Sequence, residues 1–347
     1  MPRRRLIVIA SAVVLAGCGG SGSATTGTAT PTSPAAVTTT VATTATEAPT
    51  TTTTAEPATT VPPVLSTLTG LAVDDATLGR PAVIVKVDNH PEVASQAGLA
   101  DADVLVEEEV EGISRFAAVF WSHLPAEVGP VRSARSTDVD ALGFLGKPAL
   151  AFSGANPKVL RELSKSPLVR FTEGEPPGAW RRERTRKAPH NLFVAPAAVA
   201  QAATGRAQPP ATGFAFGTPS SQTPGSTVSV KLASTVSTWT WNGSAFTHER
   251  YGKPHVDTTG RPVTASSVVV AFVRYVRSAA DPISPEAVTT GSGTVWVMTA
   301  GTFTEGRWVR PTATSPWQLL DATDAPIALA PGPVALVLAR KGSATHG

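Results

Sequence analysis

The chain has 347 residues, and its 29 lysine and arginine residues exceed its 26 aspartate and glutamate residues by three. Residues 3–5 are arginines at a leader-like start, so the rest of the chain is formally neutral and its overall charge does not support a nucleic-acid-binding protein. The single cysteine excludes disulfides within the chain and cysteine-based metal sites.

The first feature in chain order is an apolar run over residues 6–17 behind the arginines, which predicts a secretory signal peptide over residues 1–17. A membrane-spanning helix needs roughly 20 apolar residues, so this run is too short for a transmembrane anchor. It ends in Leu-Ala-Gly-Cys, which resembles the lipobox of bacterial lipoproteins. The resemblance implies cleavage before Cys18, lipidation of its thiol, and anchoring at the extracytoplasmic face of the bacterial cell membrane.

Residues 18–63 are predicted to be the lipidated cysteine and a linker. Residues 21–63 contain 18 threonines, with alanine, proline and serine between them and only Glu47 and Glu56 as charges. Such a segment has too little apolar surface to offset the entropy lost on ordering. We therefore expect a disordered Thr/Pro/Ala-rich tether.

An α/β region is predicted over residues 64–205. Apolar runs rich in β-branched residues predict strands at residues 82–88, 104–110, 115–121 and 150–153. Helices are predicted at residues 136–145, 157–164 and 195–203. Ser136 is the expected N-cap of the first helix.

A connection rich in Gly, Pro, Ser and Thr spans about residues 204–226, and a β-rich region is predicted over residues 213–342. Its strand-like runs are residues 227–232, 235–241, 268–275, 293–299, 303–309 and 334–338. The predicted fold class is therefore α+β, with an N-terminal α/β part followed by a mostly antiparallel β part.

Charged and polar residues concentrate between residues 86 and 135. Asp88, Asn89 and His90 follow the first predicted strand, where polar groups are often presented for function. Arg132 and Arg135 precede the first predicted helix, and guanidinium groups and helix-terminal amides bind anions. The candidate ligand-binding residues here are Asp88, Asn89, His90, Arg115, Arg132 and Arg135.

The second predicted strand places Glu107, Glu109 and Glu111 on one face, and Arg115 is positioned to pair across to it. Because buried charges are costly unless paired, one interpretation is a purely structural network between these glutamates and the arginines. A functional interpretation uses Asp88, Glu107 and Glu109 as metal ligands or acid–base groups. The spacing of these carboxylates matches no specific metal motif.

Four short sequence strings occur in a characteristic order along the chain. They are Val-Lys-Val-Asp-Asn-His-Pro at residues 85–91, Gly-Pro-Val-Arg-Ser-Ala-Arg at 129–135, Pro-His-Asn-Leu at 189–192 and Tyr-Gly-Lys-Pro-His-Val-Asp at 251–257. In combination they resemble the YerB-like lipoproteins, a bacterial family of unknown function with paired N- and C-terminal regions.

The resemblance covers roughly residues 64–340 and implies a cell-surface lipoprotein with an α+β body. Its paired regions correspond here to residues 64–205 and 213–342. It brings no established activity and no agreed catalytic residues. It adds His190 and Asn191 to the candidate ligand-binding residues.

Two further features have structural interpretations. Residues 181–187 form a basic run, which predicts either a solvated loop or a contact with an anionic cell-surface polymer or lipid head group. His248 and His255 flank Tyr251 in a predicted hairpin. His255 and Asp257 share a strand face, which predicts either a histidine oriented by the aspartate or a polar pair on a solvated β face.

The first functional hypothesis is a lipid-anchored surface protein that binds an anionic envelope component or a partner protein and uses no cofactor. The alternative is a cell-wall-directed, metal-assisted hydrolase with Asp88, Glu107 or Glu109 as metal ligands or general base and His90 as an acid–base group. A solute-receptor lipoprotein fits less well, because such receptors usually need two comparable α/β lobes.

Overall fold

A computed structural model gives the fold of residues 62–211 and 213–347, which belong to one compact unit. The predicted signal peptide, Cys18 and the tether up to residue 61 lie outside these residues. None of the helices in the described ranges has the length and apolar character needed to cross a bilayer.

The helices are short. The α-helices of the described chain are α1 (Asp75–Leu78), α2 (Ser136–Ala141), α3 (Pro157–Leu163) and α4 (Pro196–Ala203). Single 3-10 turns lie at Leu99–Asp101 and Gly143–Leu145.

Strands make up most of the regular structure. Those before residue 205 are β1 (Val83–Val87), β2 (Val104–Glu109), β3 (Ser114–Phe120), β4 (Ala149–Ala151), β5 (Val169–Phe171), β6 (Trp180–Arg182) and β7 (Leu192–Val194). Those after it are β8 (Thr227–Leu232), β9 (Thr235–Trp241), β10 (Phe246–Arg250), β11 (Lys253–Pro254), β12 (Thr264–Ala265), β13 (Ser267–Phe272), β14 (Arg274–Arg277), β15 (Pro285–Val288), β16 (Gly291–Thr299), β17 (Thr302–Arg310), β18 (Gln318–Leu320), β19 (Val334–Ala339) and β20 (Ala344–His346).

Ten strands form one mixed sheet in the order β18-β17-β16-β13-β19-β2-β3-β1-β4-β5. Strand β19 pairs in parallel with β13 on one side and with β2 on the other, where Val334 lies opposite Val104. The predicted N- and C-terminal regions therefore contribute to the same sheet.

A smaller antiparallel sheet has the order β11-β10-β9-β8-β20, with β12 also paired to β10. Two further strand pairs, β6 with β7 and β14 with β15, form separate antiparallel ribbons. The mixture of short helices and largely antiparallel sheets confirms the predicted α+β class.

The central strands of the large sheet, from β13 to β4, are buried on both faces. Ile84 of β1 belongs to an apolar cluster with Leu142, Val159 and Leu163 around α2 and α3, which we call the helix face. Val85 belongs to a second cluster beneath β8 and β9 and beside α4, which we call the small-sheet face. Because successive side chains of a strand alternate, a sheet covered on both sides needs uninterrupted apolar runs.

Two predicted elements are corrected by the structure. The helix predicted at residues 136–145 ends at Ala141, and a 3-10 turn follows. Its N-cap is Arg135 rather than Ser136, because the Asp138 carboxylate accepts the backbone N–H of Arg135 at 2.7 Å while the Ser136 hydroxyl lies 2.7 Å from that of Ser278. The run at residues 268–275 is divided between β13 in the large sheet and β14 in a ribbon.

Candidate functional site

The segment at residues 129–135 crosses the carboxyl ends of β1 and β4, which are parallel neighbours. The Arg132 amide donates to the carbonyl of Lys86 at 2.9 Å, and the Arg132 carbonyl accepts from the Ser153 amide at 3.0 Å. The Val131 amide donates to the carbonyl of Leu192 at 2.6 Å. Backbone bonds on three sides therefore fix Arg132 at an edge where ligands often bind in α/β sheets.

Asp88, directly after β1, forms hydrogen bonds with several polar groups of this edge. Its Oδ2 accepts from Arg132 Nη1 at 2.8 Å and lies 2.5 Å from His190 Nδ1, while its Oδ1 accepts the His90 amide at 3.1 Å. Burial alone would raise the pKa of Asp88, but Arg132 and the hydrogen bond with His190 outweigh it and hold that pKa below its ordinary value. Asp88 is therefore a buried carboxylate that fixes the orientation of one arginine and one histidine.

The two histidines of this edge stack on each other. The ring centroids of His90 and His190 lie 4.8 Å apart with an interplanar angle of 27°. On the side away from Asp88, His190 Nε2 lies 3.7 Å from a carboxylate oxygen of Glu92. Asp88, His90, Arg132 and His190 are thus brought together, although more than a hundred residues separate the first from the last.

Arg115 and Arg135 form a second group next to the first. Both guanidinium groups contact Glu111, and Arg115 also donates to the Ser133 carbonyl at 3.2 Å. Burial, reinforced by repulsion from Arg135, lowers the pKa of Arg115 to about 10. Its Nε is buried and has no hydrogen-bond partner within the described chain.

Asn89 and Asn191 do not join this edge. The Asn89 amide turns to the small-sheet face, where its Nδ2 donates to Ser114 Oγ at 2.7 Å. The Asn191 oxygen accepts from Arg182 at 3.0 Å, on the β6–β7 ribbon. Of the eight predicted ligand-binding residues, six therefore lie in the two neighbouring groups and these two lie elsewhere.

The carboxylates proposed as metal ligands take separate partners. Asp88 pairs with Arg132 and His190, as described above. Glu107 accepts from the hydroxyls of Ser114 at 2.6 Å and Ser237 at 2.7 Å on the small-sheet face. Glu109 forms a two-bond ion pair with Arg340 at 2.8 and 2.9 Å. These three carboxylates do not converge on one point.

Arg115 was expected to pair with the face of Glu107, Glu109 and Glu111, and among these three it contacts Glu111. Arg115 lies opposite Glu108 in the β2–β3 register, so both side chains belong to the helix face. There Glu108 and Asp138 accept from the ammonium group of Lys86 at 2.6 and 2.7 Å. A buried ion-pair network therefore forms around Lys86, which was not predicted to take part, in addition to the contacts of Arg115 and Arg135 with Glu111.

Sequence reasoning missed a buried polar chain on the small-sheet face. Ser237 Oγ bonds both Glu107 and, at 2.8 Å, Nε2 of His248. The two Nδ1 atoms of His248 and His255 lie 2.7 Å apart, and His255 Nε2 lies 2.8 Å from Gln96 Oε1. His255 and Asp257 are both buried, so the solvated β face predicted for this pair is wrong, and His248 is buried as well.

The basic run at residues 181–187 is largely exposed. Arg181 is paired with Glu127 and Glu183, and Arg182 with Glu173. Arg186 Nη1 donates to the Ser95 carbonyl at 3.1 Å. Ion pairs between exposed side chains contribute little stability, as in a solvated segment.

Comparison with known proteins identifies relatives of the whole folded body. Residues 68–209 match the "Protein of unknown function (DUF3048) N-terminal domain" and residues 227–334 match the corresponding C-terminal domain. A stretch of 69 residues, 20% of this chain, is 49% identical to "Putative lipoprotein YerB" of Bacillus subtilis (strain 168). That stretch spans 21% of the relative's length.

The fold agrees with a solved structure. The crystal structure of the YerB protein from Bacillus subtilis superposes with a TM-score of 0.70, covering 82% of this chain and 99% of that one at 21% identity. Together with the two matched domains, this shows that the chain belongs to the YerB-like family of DUF3048 proteins, whose function is unknown.

Proposed function

We propose that this protein is a lipid-anchored protein of the bacterial cell surface, held at the extracytoplasmic face of the membrane by acyl chains on Cys18. The supports are the lipobox-like tetrad after a short signal-like run and the lipoprotein description of the Bacillus relative. The threonine-rich segment before residue 64 then serves as a spacer between the membrane and the folded body.

At the carboxyl ends of β1 and β4, the folded body binds an anionic component of the envelope or an anionic group on a partner protein. One observation carries this proposal. Arg132 uses only Nη1 in its contacts with Asp88 and His190, so Nε and Nη2 have no hydrogen-bond partner within the described residues. Its side chain is 19% exposed, so these donors are available to a planar carboxylate or phosphate.

The surroundings of Arg132 support the same chemistry. The hydroxyls of Ser133 and Ser153 lie 3.5 Å apart beside it, and hydroxyls can donate to anionic oxygens. Gly154, with φ +134°, has open space where a side chain would project. The edge is therefore polar and accessible from outside, and the guanidinium group of Arg132 presents donors there that Asp88 does not use.

The hydrolase alternative has weaker support. It assigned metal ligation or base chemistry to Asp88, Glu107 and Glu109, but each of these carboxylates is engaged by different partners. Binding of an anion at Arg132 does not require these three carboxylates to lie close together.

We expect Arg132→Ala combined with Arg135→Ala to weaken binding of the protein to the envelope fraction of the cells that produce it by at least tenfold. The reason is that hydrogen bonds to charged groups contribute about 1.5–3 kcal/mol each. Binding is measured by sedimentation of the non-lipidated protein with washed envelopes at several salt concentrations.

Two companion variants make this test specific. Arg132→Lys keeps the charge beside Asp88 and loses the planar fork, so an intermediate affinity is expected. Arg277→Ala removes an exposed arginine of β14 and should bind like the unaltered protein. Unchanged envelope binding by a folded Arg132→Ala/Arg135→Ala variant would refute the assignment.

A further inference from the structure

The His90–His190 stack and the side chain of Glu92 form a compact group on the side of His190 that faces away from Asp88 and Arg132. One ligand-type atom from each of the three residues lies within 4.8 Å of the other two. Two imidazoles and one carboxylate form a donor set used by zinc sites that keep an open coordination position. We propose that His90, Glu92 and His190 bind a divalent transition-metal ion of the zinc class.

The hydrogen bonding of His190 supports this proposal. Its Nδ1 lies 2.5 Å from the buried carboxylate of Asp88, which also pairs with Arg132. An ionised carboxylate accepts, so Nδ1 carries the proton, and in the neutral ring the lone pair lies on Nε2, which faces Glu92. Histidines that bind metals commonly donate their other N–H to a carboxylate in this way, which fixes the ring orientation.

The other two ligands are held loosely enough to close on an ion. The only hydrogen bond of His90's ring within the described chain is a long one, 3.3 Å, accepted at Nδ1 from the Glu92 amide. The Glu92 side chain is 67% exposed, and one of its oxygens is already 3.7 Å from His190 Nε2. Ligand atoms around a tetrahedral zinc ion are roughly 3.3 Å apart, given bond lengths near 2.0–2.1 Å.

The space and charge around the group fit an ion with an exchangeable ligand. Glu92 and His190 border a hollow of about 140 Å³ that Arg186 and Lys187 also line. These cations oppose a bare metal ion, yet they favour an anionic fourth ligand on it. The site would therefore hold the metal most tightly together with an anion. The contacts between the metal and the three side chains do not require that Arg132 bind an anion.

The test is titration of the full chain, prepared without a histidine tag, with zinc chloride by isothermal calorimetry. We expect one equivalent to bind with a dissociation constant in the micromolar range or below. Cobalt(II) in place of zinc should give visible absorption bands typical of a four-coordinate ion. Binding should weaken at least tenfold in His190→Ala and in Glu92→Gln, and about 10- to 100-fold in Asp88→Asn, which removes the carboxylate behind His190.

Control variants distinguish zinc binding at this site from nonspecific zinc binding elsewhere on the protein. His123→Asn alters an exposed histidine outside the group and should leave zinc affinity unchanged. Glu92→Gln is at an exposed position, so it should fold even where substitutions at His190 or Asp88 do not. Absence of saturable zinc binding, or the same affinity in the folded Glu92→Gln variant, would overturn the proposal. Neither result depends on whether Arg132 binds an envelope anion.

Discussion

Replacing Lys86 by methionine is expected to lower the free energy of unfolding by about 3–5 kcal/mol. The Lys86 side chain is 0% exposed and its ammonium group contacts the carboxylates of Glu108 and Asp138 at 2.6 and 2.7 Å. Without it, two buried carboxyl groups face each other with no cation between them. Burial already raises the pKa of Glu108, so this group tolerates its charge poorly even in the intact network.

Urea unfolding of single variants measures this effect. Lys147→Met, at an exposed position, should change the stability by less than about 0.5 kcal/mol. Adding Glu108→Gln to Lys86→Met removes one of the two orphaned carboxyl groups and should restore part of the loss. If Lys86→Met unfolds at the same urea concentration as Lys147→Met, the ion pair does not stabilise the fold.

Acidification is expected to destabilise the protein through His255, and a glutamine at this position should remove that part of the effect. Burial lowers the pKa of His255 to about 3 from an ordinary 6.5, with a smaller contribution from Arg250. Between these values the unfolded chain binds a proton that the folded protein does not. The stability of the folded state therefore falls as the pH decreases from 6.5 toward 3, by about 1.4 kcal/mol per pH unit.

The comparison of two proteins isolates this term. The titratable groups near His255 are His248, Arg250 and Glu107. Burial also lowers the pKa of His248, and the hydroxyl of Ser237 connects His248 to Glu107. Burial raises the pKa of Glu107, which acts in the opposite direction above pH 4.5, but Glu107 is common to both proteins. From pH 7 to pH 5 the unaltered protein should lose about 2 kcal/mol relative to His255→Gln in urea titrations. Parallel pH profiles would show that His255 is not a buried neutral histidine.

Local patterns predicted the strands of the large sheet except the short edge strands β5 and β18, because β-branched runs covered on both faces leave a clear signal. β1, β2 and β3 lie within about two residues of their predicted bounds. The same runs do not show which strands lie next to each other across the whole sheet. The position of β19 between β2 and β13 depends on packing against β2, which lies more than two hundred residues earlier in the chain.

The candidate site was predictable only in part for the same reason. Asp88 and Arg132 could be nominated because they follow a strand end and precede a helix, and His190 because its string resembles a family pattern. The direction in which Asn89 points was not predictable. Its partners, Ser114 and Arg250, lie on different sheets, and the position after the strand gave no sign of which face it would take.

The buried histidines show a further limit of local patterns. A hairpin with alternating polar residues is typical of a solvated face, which is how the strand face of His255 and Asp257 was interpreted. The face is covered because the small sheet packs on β2 and β3. Ser237 of β9 joins Glu107 of β2 to the His248 ring by hydrogen bonds, which makes burial of these polar groups tolerable. The sequence signal for this burial was the presence of complementary polar groups, such as Glu107 and Ser237, in distant segments. That signal can be recognised only when the relative position of the two sheets is known.

The proposal that Arg132 receives an anion is tested most directly by observing its own guanidinium group. In a spectrum of the nitrogen-15-labelled protein, the Nε–H resonance of Arg132 is assigned by its loss in Arg132→Lys. On addition of soluble anionic polymer released from the envelope of the producing cells, that resonance should shift in a saturable manner while the resonance of Arg277 stays in place. An Arg132 resonance that does not move while the polymer binds elsewhere on the protein would contradict the proposed site.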